Sequence, residues 1–383
     1  MQNMAQNCKH SCGNLLLLAL TLVFCYERIA SAVPFTTSID FAVYSNPNST
    51  YGLKTILDTA HANSSDVLII TRDDGLVLFL DALTLQPKAN ALANRGQHAR
   101  AVRNVRVFLL SGQEFAVTVS EDFTFVIWRV ATATPIVQRN LDNNYLYDVC
   151  WNGVAIYIAS SSGMAYMINP VDGSTINSAW LNGGVFSVGC SGNDVAFGTA
   201  SGKVVILYAA NMTQRVSFNT ATTYPTALYN FPIQQRVFTS SDVDMRVHVT
   251  SENGTDLNNF YGASPRTSGL SASLNTNRLW FSGDGKAMLY DTQVNQFVST
   301  LDFFSTSAFT GPYVFGITER IRPNMTVYGA MNSVLYVFNA TTADTSLGYI
   351  PYAQRNSGYT LNSHSSSPDL ACYNGGAQSY VQG

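Results

Sequence analysis

Residues 96–141 read GQHARAVRNVRVFLLSGQEFAVTVSEDFTFVIWRVATATPIVQRNL. Four short runs in this stretch alternate apolar with polar residues and are separated by turn-forming residues; the runs are 101–107, 114–119, 123–130 and 135–139. This alternation predicts a four-stranded antiparallel meander. A single meander of this size cannot bury both of its faces, so repeated copies would have to stack on one another.

A turn of one kind recurs along the chain, between a strand that ends in small residues and a strand rich in β-branched and aromatic residues. Its copies lie about 40 to 48 residues apart, which is the spacing of propeller blades. We therefore expect an all-β fold in which residues 33–383 form a single β-propeller of eight four-stranded blades, with seven blades and one irregular unit as the alternative. The turns are Asp74-Gly75, Glu121-Asp122, Ser162-Gly163, Ser201-Gly202, Asp242-Val243-Asp244, Gly283-Asp284-Gly285, Asn332-Ser333 and Gly375-Gly376.

The eighth copy stops after its third strand, residues 378–383. Its missing fourth strand is expected to come from residues 41–45 (FAVYS), which precede the first copy. The N-terminal strand would then pair with the C-terminal blade and close the ring, which removes the exposed sheet edges of an open array.

The opening stretch has a histidine, His98, ahead of its first apolar run and the segment 122–128 (DFTFVIW) at its third run. They resemble the WD repeat, the blade unit of one class of β-propeller. The sequence departs from the family pattern at Arg129, where the family has aspartate. The resemblance implies a hydrogen-bonded structural tetrad of His98, Thr118, Asp122 and Trp128 that stabilises the blade.

A second, weaker resemblance rests on residues 169–180 (NPVDGSTINSAW) and on the expected count of eight blades. Both are similar to the propellers of quinoprotein alcohol dehydrogenases. That class has adjacent cysteines and a longer chain, and this sequence has neither feature. We therefore expect no cofactor.

The first residues of the chain have the composition of a leader. Residues 15–25 (LLLLALTLVFC) form an apolar run of the length of a signal-peptide core, too short to cross a bilayer. Ala30-Ser31-Ala32 offers a cleavage site, so residues 1–32 are expected to be a signal peptide and the mature chain to begin at Val33, secreted or in the lumen of the secretory pathway. An uncleaved anchor is the alternative, and no second hydrophobic run follows.

The composition excludes some classes of partner. Apolar residues make up 46% of the chain and charged residues only 12%, with a net charge of −3. A chain of this kind can bury a large core, and its charge argues against a general nucleic-acid role. We expect a monomer without a transmembrane segment in the mature chain.

Three cysteines remain after the leader: Cys150, Cys190 and Cys372. Three thiols allow at most one internal disulfide. Cys150 and Cys190 fall on the innermost strands of neighbouring blades and are the one plausible pair, but we expect them to be two small apolar side chains in the core rather than a disulfide.

Glycosylation motifs suggest which face of the propeller is covered. All motifs except Asn48 fall in turns between first and second or between third and fourth strands, which lie on one face of a propeller. We therefore expect a glycan-bearing face and an opposite face free for a partner; a plain preference of turns for asparagine is the alternative. The motifs are at Asn48, Asn63, Asn211, Asn253, Asn324 and Asn339.

A basic cluster near the expected free face is the candidate ligand site. Its members are Arg95, Arg100, Arg103 and Arg106. Such a cluster could bind a carboxylate, sulfate or phosphate, or could be a solvated loop with local acidic partners. Arg103 and Arg106 can both point inward only if a bulge interrupts their strand.

The sequence contains no Gly-x-Ser-x-Gly, phosphate loop or His-Glu-x-x-His motif, and its histidines have no ligand-like spacing, so it predicts neither catalysis nor a metal site. We expect a secreted or lumenal glycoprotein that serves as a binding scaffold for a protein, peptide or glycan partner. The alternatives are a propeller enzyme with a central-channel site, either a divergent quinoprotein-like oxidoreductase or a glycan-acting hydrolase or lyase, and an architectural coat or matrix component.

Overall fold

The computed structural model describes residues 33–34, 37–44, 54–220, 227–231, 236–240, 246–261, 267–272, 278–283, 286–291, 296–302, 314–320, 326–331, 333–339 and 363–365. Among these residues the fold is all-β, with several four-stranded antiparallel sheets. The described part of the chain forms seven sheets in sequence order.

The N-terminal half contains β1 (Val33–Pro34), β2 (Thr37–Asp40) and four sheets. The first sheet is β3 (Ile56–Ala62), β4 (Val67–Arg72) and β5 (Val77–Asp81), and the second is β6 (Val102–Leu110), β7 (Gln113–Ser120), β8 (Thr124–Arg129) and β9 (Thr134–Asn140). The third is β10 (Leu146–Trp151), β11 (Ile156–Ser160), β12 (Met164–Ile168) and β13 (Thr175–Trp180), and the fourth is β14 (Val185–Ser191), β15 (Asp194–Thr199), β16 (Lys203–Tyr208) and β17 (Gln214–Asn219). Helix α1 (Ala89–Asn94) links the first two sheets, and a 3-10 helix (Val130–Thr132) follows β8.

The C-terminal half contains three further sheets. The fifth is β18 (Ala227–Phe231), β19 (Arg236–Ser240), β20 (Arg246–Ser251) and β21 (Asp256–Tyr261), and the sixth is β22 (Thr267–Ala272), β23 (Arg278–Gly283), β24 (Lys286–Asp291) and β25 (Gln296–Asp302), with β1 beside β25 and β29 (Ser363–Ser365) beside β22. The seventh is β26 (Val314–Arg320), β27 (Thr326–Met331) and β28 (Val334–Asn339), with β2 beside β28. Within the described ranges, no helix has the length and apolar character that crossing a bilayer requires.

The opening stretch forms the four-stranded antiparallel sheet that its alternation predicts, and each strand lies within three residues of its expected bounds. β6, β7 and β8 are almost entirely buried, whereas β9 is largely exposed. The third sheet repeats this gradient, with β10 fully buried and β13 exposed. The first strand of each of these sheets is therefore interior, and the fourth is the outer edge.

Apolar clusters lie between neighbouring sheets, so each face is buried against the next sheet. One cluster packs Phe79 of the first sheet against Trp128 of the second, with ring centroids 5.3 Å apart. The first and seventh sheets also share a cluster, in which Ile70 and Leu78 pack with Tyr328 and Leu335.

A bulge recurs near the start of the first strand in six of the seven sheets. In β6 it lies between Val102 and Asn104, and all residues from Val102 to Arg106 are buried. The bulge adds one residue to the strand and re-aims the side chains that follow. This is the irregularity that the burial of both Arg103 and Arg106 requires.

The N-terminal closing strand differs from the expected one. Residues 41–44 are not in a strand; the preceding strand β2 pairs antiparallel with β28, with Thr37 opposite Val337 and Asp40 opposite Val334. The N-terminal segment therefore completes a four-stranded sheet with β26, β27 and β28. The expected eighth copy at Gly375-Gly376 and residues 378–383 lies outside the described residues.

Candidate functional site

The structure brings the four tetrad side chains of the second sheet together. Trp128 Nε1 donates a hydrogen bond of 2.9 Å to Thr118 Oγ1, and His98 Nε2 lies 2.8 Å from the same oxygen. His98 Nδ1 lies 3.1 Å from a carboxylate oxygen of Asp122, which also accepts from the Ala99 backbone N–H at 2.9 Å. The fully buried rings of His98 and Trp128 are thus linked through hydrogen bonds to the turn before β8.

Asp122 is held as a carboxylate. Burial alone would raise the pKa of Asp122, but the hydrogen bond and charge of His98, with hydrogen bonds from Thr124 and Ala99, lower it to about 2. These contacts are internal to the second sheet. The tetrad therefore stabilises the sheet and presents no group to a ligand.

Replacing Asp122 with asparagine should lower the free energy of unfolding at pH 7 by about 2 kcal/mol. Because the native pKa lies below the unfolded value, the unfolded chain binds more protons between about pH 4 and pH 2. The stabilisation is complete above about pH 4 and is lost as the pH falls through about 2. Urea unfolding of the wild type and of Asp122→Asn, at about pH 4 and about pH 2, measures this loss of stabilisation. Asp256→Asn, which replaces an exposed aspartate, is the control. If Asp122→Asn were destabilised equally at both pH values, the lowered pKa of Asp122 would be contradicted.

The neighbouring sheets build different polar clusters at the equivalent turn. In the first sheet Arg72 forms an ion pair with Asp74 and donates to the backbone oxygens of Phe41 at 2.8 Å and Tyr44 at 2.9 Å. In the third sheet one oxygen of Asp142 accepts from the hydroxyls of Ser160, Ser162 and Tyr166 at 2.7–2.9 Å. The WD-like pattern is thus confined to the second sheet in this part of the structure.

The four candidate arginines do not form one surface cluster. Arg100 is exposed, whereas Arg95 is half-buried and donates to the backbone oxygen of Leu92. Arg103 is buried and forms an ion pair with Glu121. Only Arg100 is both exposed and placed to meet an external anion.

Arg106 lies between two carboxylates of neighbouring sheets. Its side chain is 3% exposed and approaches Asp58 at 3.2 Å and Asp148 at 3.6 Å. Each carboxylate also accepts a backbone N–H from the next sheet, Asp58 from Val105 at 3.0 Å and Asp148 from Val188 at 2.8 Å. These ionisable groups converge on the innermost strands, but their hydrogen bonds and the Arg106–Asp148 ion pair join the first strands of the first four sheets, which is a structural role.

The turns fall on two opposite faces. Within one sheet, the turns between first and second and between third and fourth strands meet, because Ala82 N donates to Asp66 O at 3.0 Å and Ala209 N to Asn193 O at 2.8 Å. Neighbouring sheets align in the same sense, since Asn152 Nδ2 donates to Gly192 O across the third and fourth sheets. We call this side the sequon face. The opposite side is formed by the turns between second and third strands and by the links between sheets, and we call it the aromatic face.

The sequon face carries three exposed motif asparagines in the described chain: Asn63, Asn211 and Asn253. Asn339 is the last residue of β28, at the same end of its sheet. Asn48 and Asn324 lie outside the described residues.

The aromatic face carries a row of rings contributed by three sheets. Phe123 stacks on Tyr145, with centroids 5.8 Å apart and planes at 13°, and Tyr145 meets Tyr147 edge-on. Tyr147 in turn meets Phe186 edge-on at 5.0 Å. The guanidinium of Arg100 lies 5.6 Å from the centre of the Phe123 ring. We name Arg100, Phe123, Tyr145, Tyr147 and Phe186 the aromatic row.

Phe123 occupies a backbone position that elsewhere belongs to glycine. Its φ is +73°, and its N–H donates to Ser120 O. Gly75, Gly163 and Gly202 have the same turn hydrogen bond and φ values of +82°, +97° and +75°. A left-handed conformation is costly for a bulky side chain, by about 1–2 kcal/mol. Such strain is retained where the side chain serves another purpose.

The repeat itself contained the signal that identifies Phe123. The repeat spacing matches Glu121-Asp122 with Asp74-Gly75, whereas the hydrogen bonds match Asp122 and Phe123 with that pair. Moving the second turn by one residue places a phenylalanine where three other turns have glycine. The rings of Tyr145, Tyr147 and Phe186 carry no such signal, because they come together from separate sheets.

A disulfide joins the third and fourth sheets. Cys150 on β10 and Cys190 on β14 are bonded, with Cα atoms 5.7 Å apart, and both are buried. The expectation of two free apolar side chains is therefore wrong, because the two cysteines form a covalent link between first strands.

Comparisons with known proteins supply no function for this chain. The residues of the described ranges contain no group of three or more His, Cys, Asp or Glu side chains that could hold a metal ion. No protein-family model matches the chain, and no curated protein shows significant similarity to it.

Proposed function

We propose that the chain is a β-propeller whose sheets close into a ring of seven, and that it acts as a binding scaffold through its aromatic face. Closure is supported by contacts between the first and seventh sheets: Arg320 Nε donates to Asp66 Oδ1 at 2.6 Å, and Tyr328 OH donates to Ala82 O at 2.7 Å. The hydrogen bond from Arg320 lowers the pKa of Asp66. A ring leaves its two faces as the natural binding surfaces.

One observation carries the binding role: a half-buried aromatic side chain occupies a position that belongs to glycine in the equivalent turns. Phe123 could be replaced by glycine without backbone strain, as the three equivalent turns illustrate. The row around it is rich in Tyr, Phe and Arg, the residue types that dominate interface cores and binding hot spots. A partner protein, peptide or glycan would contact the solvent-accessible members of this row, since Tyr147 is buried.

Replacing Phe123 with glycine should therefore separate folding from binding. We expect the free energy of unfolding to stay within about 1 kcal/mol of the wild-type value, because relief of the positive φ offsets the lost ring contacts. Proteins captured from extracellular fluid and cell surfaces by the mature chain should be lost from the variant. The control is Leu83→Ala, which removes an exposed apolar side chain from the turn after β5. Identical capture by all three proteins would refute the aromatic face as the binding site.

A secretory location fits the covalent features of the chain. The disulfide between Cys150 and Cys190 is of a kind that persists in oxidising compartments, and Asn63, Asn211 and Asn253 are exposed to modification. The scaffold is accordingly proposed to be a secreted or lumenal glycoprotein without its first 32 residues.

Glycan mapping tests this location and the assignment of faces together. Glycosidase treatment in heavy-oxygen water, followed by peptide mapping, should label Asn63 and Asn211 in protein from a secreting host. The same peptides from untreated protein give the background of spontaneous deamidation. Label at Asn48 with Asn63, Asn211 and Asn339 bare would show that the sequon face is not the glycan-bearing one.

A further inference from the structure

The aromatic row continues onto an exposed tryptophan of the third sheet. Trp180, the last residue of β13, is 62% exposed. Its ring lies against the turn at Gly163, where a Cβ atom would be 2.8 Å from ring carbon Cζ3. A Cβ atom on Gly184 would likewise be 3.1 Å from the Phe186 ring. Both glycines therefore allow a ring to lie directly against the backbone of the aromatic face.

Trp180 is unusual among residues at the same place in the repeat. Its cross-strand partner is Met164, and the equivalent pairs are Thr124 with Asn140 and Lys203 with Asn219. The third sheet thus has an exposed indole where the second and fourth sheets have asparagine. Exposed tryptophan beside partly exposed rings is typical of a binding anchor.

Arg100 supplies an uncompensated positive charge at the other end of the patch. Among the described residues no carboxylate forms an ion pair with it, whereas Arg103 is paired with Glu121. Its guanidinium is held near the Phe123 ring and lies 3.5 Å from the Tyr145 hydroxyl. These contacts already restrict the Arg100 side chain, so it loses less conformational entropy when a ligand binds.

From these observations we propose, building on the binding role of the aromatic face, that its ligand is an acidic peptide segment of a partner protein. A carboxylate of the segment pairs with Arg100, and apolar side chains pack on Trp180. Phe123 already contacts both Arg100 and Tyr145, so its ring is engaged by the protein itself. This favours contact with side chains of a peptide over the stacking of sugar rings on an open aromatic surface.

Selection of phage-displayed random peptides on the immobilised mature chain tests the proposal. We expect the selected peptides to be enriched in Asp and Glu together with apolar residues. Synthetic copies should bind Arg100→Ser at least about tenfold more weakly than wild type, and Arg100→Glu more weakly still. Added salt should weaken binding to wild type more than to Arg100→Ser. Arg129→Ser, an exposed arginine at the opposite end of the second sheet, should bind as wild type does.

The variants distinguish failure of this inference from failure of the binding role. Trp180→Ala should weaken binding at least about tenfold while leaving its salt dependence intact. Selected peptides that lack acidic residues, or that bind Arg100→Ser normally but not Trp180→Ala, would overturn the acidic ligand and leave the binding face in place. Binding of neutral glycans that requires Phe123, with no peptide selected, would do the same. Peptides whose binding is unaffected by Phe123→Gly, Arg100→Ser and Trp180→Ala would refute both proposals.

Discussion

Replacing Arg106 with methionine should lower the free energy of unfolding by about 3–5 kcal/mol. The guanidinium is nearly inaccessible to water and is the cation between Asp58 at 3.2 Å and Asp148 at 3.6 Å. Its removal takes away the cation that approaches both of these buried carboxylates. Methionine keeps the length and apolar body of the side chain, so the loss reports on charge.

The two carboxylates cannot turn away from the site to find water. Asp58 accepts the N–H groups of Thr59 at 2.8 Å and Val105 at 3.0 Å. Asp148 accepts those of Val149 and Val188, both at 2.8 Å. Because these bonds also join neighbouring sheets, loss of the Arg106 cation is expected to destabilise the contacts between the sheets as well as the ion pairs.

A double-mutant cycle isolates the ion pair from loss of packing. The loss of stability in the double variant Asp58→Asn/Arg106→Met should be smaller than the sum of the losses in the two single variants, because the double variant removes both members of one ion pair. Arg129→Met, at an exposed position of the same sheet, is the control and should change stability by less than about 0.5 kcal/mol. Additive losses, or a loss for Arg106→Met as small as for the control, would mean that Arg106 does not compensate the two carboxylates.

Removal of the Cys150–Cys190 disulfide should cost about 4 kcal/mol. The cysteines are 40 residues apart, so the bond restricts a loop of that size in the unfolded chain. Both sulfurs are buried between the third and fourth sheets, where their strands are already adjacent. The bond therefore constrains the unfolded ensemble without reorganising the native interface.

Chemical unfolding with and without reductant provides the internal control. Reductant should lower the stability of the wild type and leave Cys150→Ala/Cys190→Ala unchanged. Each single variant should lose about as much as the double variant, because either substitution removes the bond. A wild type that is insensitive to reductant under denaturing conditions, or that releases both thiols without it, would disprove the link.

Much of the fold could be predicted from short-range patterns. Period-two alternation identified the four strands of the second sheet, because side chains on successive residues point to opposite faces. The side chains of His98, Thr118, Asp122 and Trp128 meet as the resemblance to the WD repeat implied. The sequence named a bulge only as the condition for Arg103 and Arg106 both to point inward, and β6 has one.

The candidate site was less predictable, because its properties depend on contacts between sheets. Arg103 and Arg106 look like a basic cluster in the sequence. The carboxylates that pair with Arg106 lie 48 residues before it, at Asp58, and 42 residues after it, at Asp148, in neighbouring sheets. Among the residues that the structure describes, no carboxylate forms an ion pair with Arg100, which stays exposed. The same charge thus became structural or available for binding according to what the adjacent sheet contributed.

The strands and their repeat could be predicted from residue patterns, because the alternation of side chains acts within one meander, and the polar cluster of the second sheet was implied by the resemblance to the WD repeat. Packing of the sheets, in contrast, sets which segment pairs with β28, which arginine remains at the surface, and which rings from three sheets form the aromatic row. Those outcomes depend on side chains far apart in the chain, and their contacts exist only after the sheets have packed. The positive φ of Phe123 links the two levels, because a local turn fixes the backbone while the packed sheets place its ring in the aromatic row.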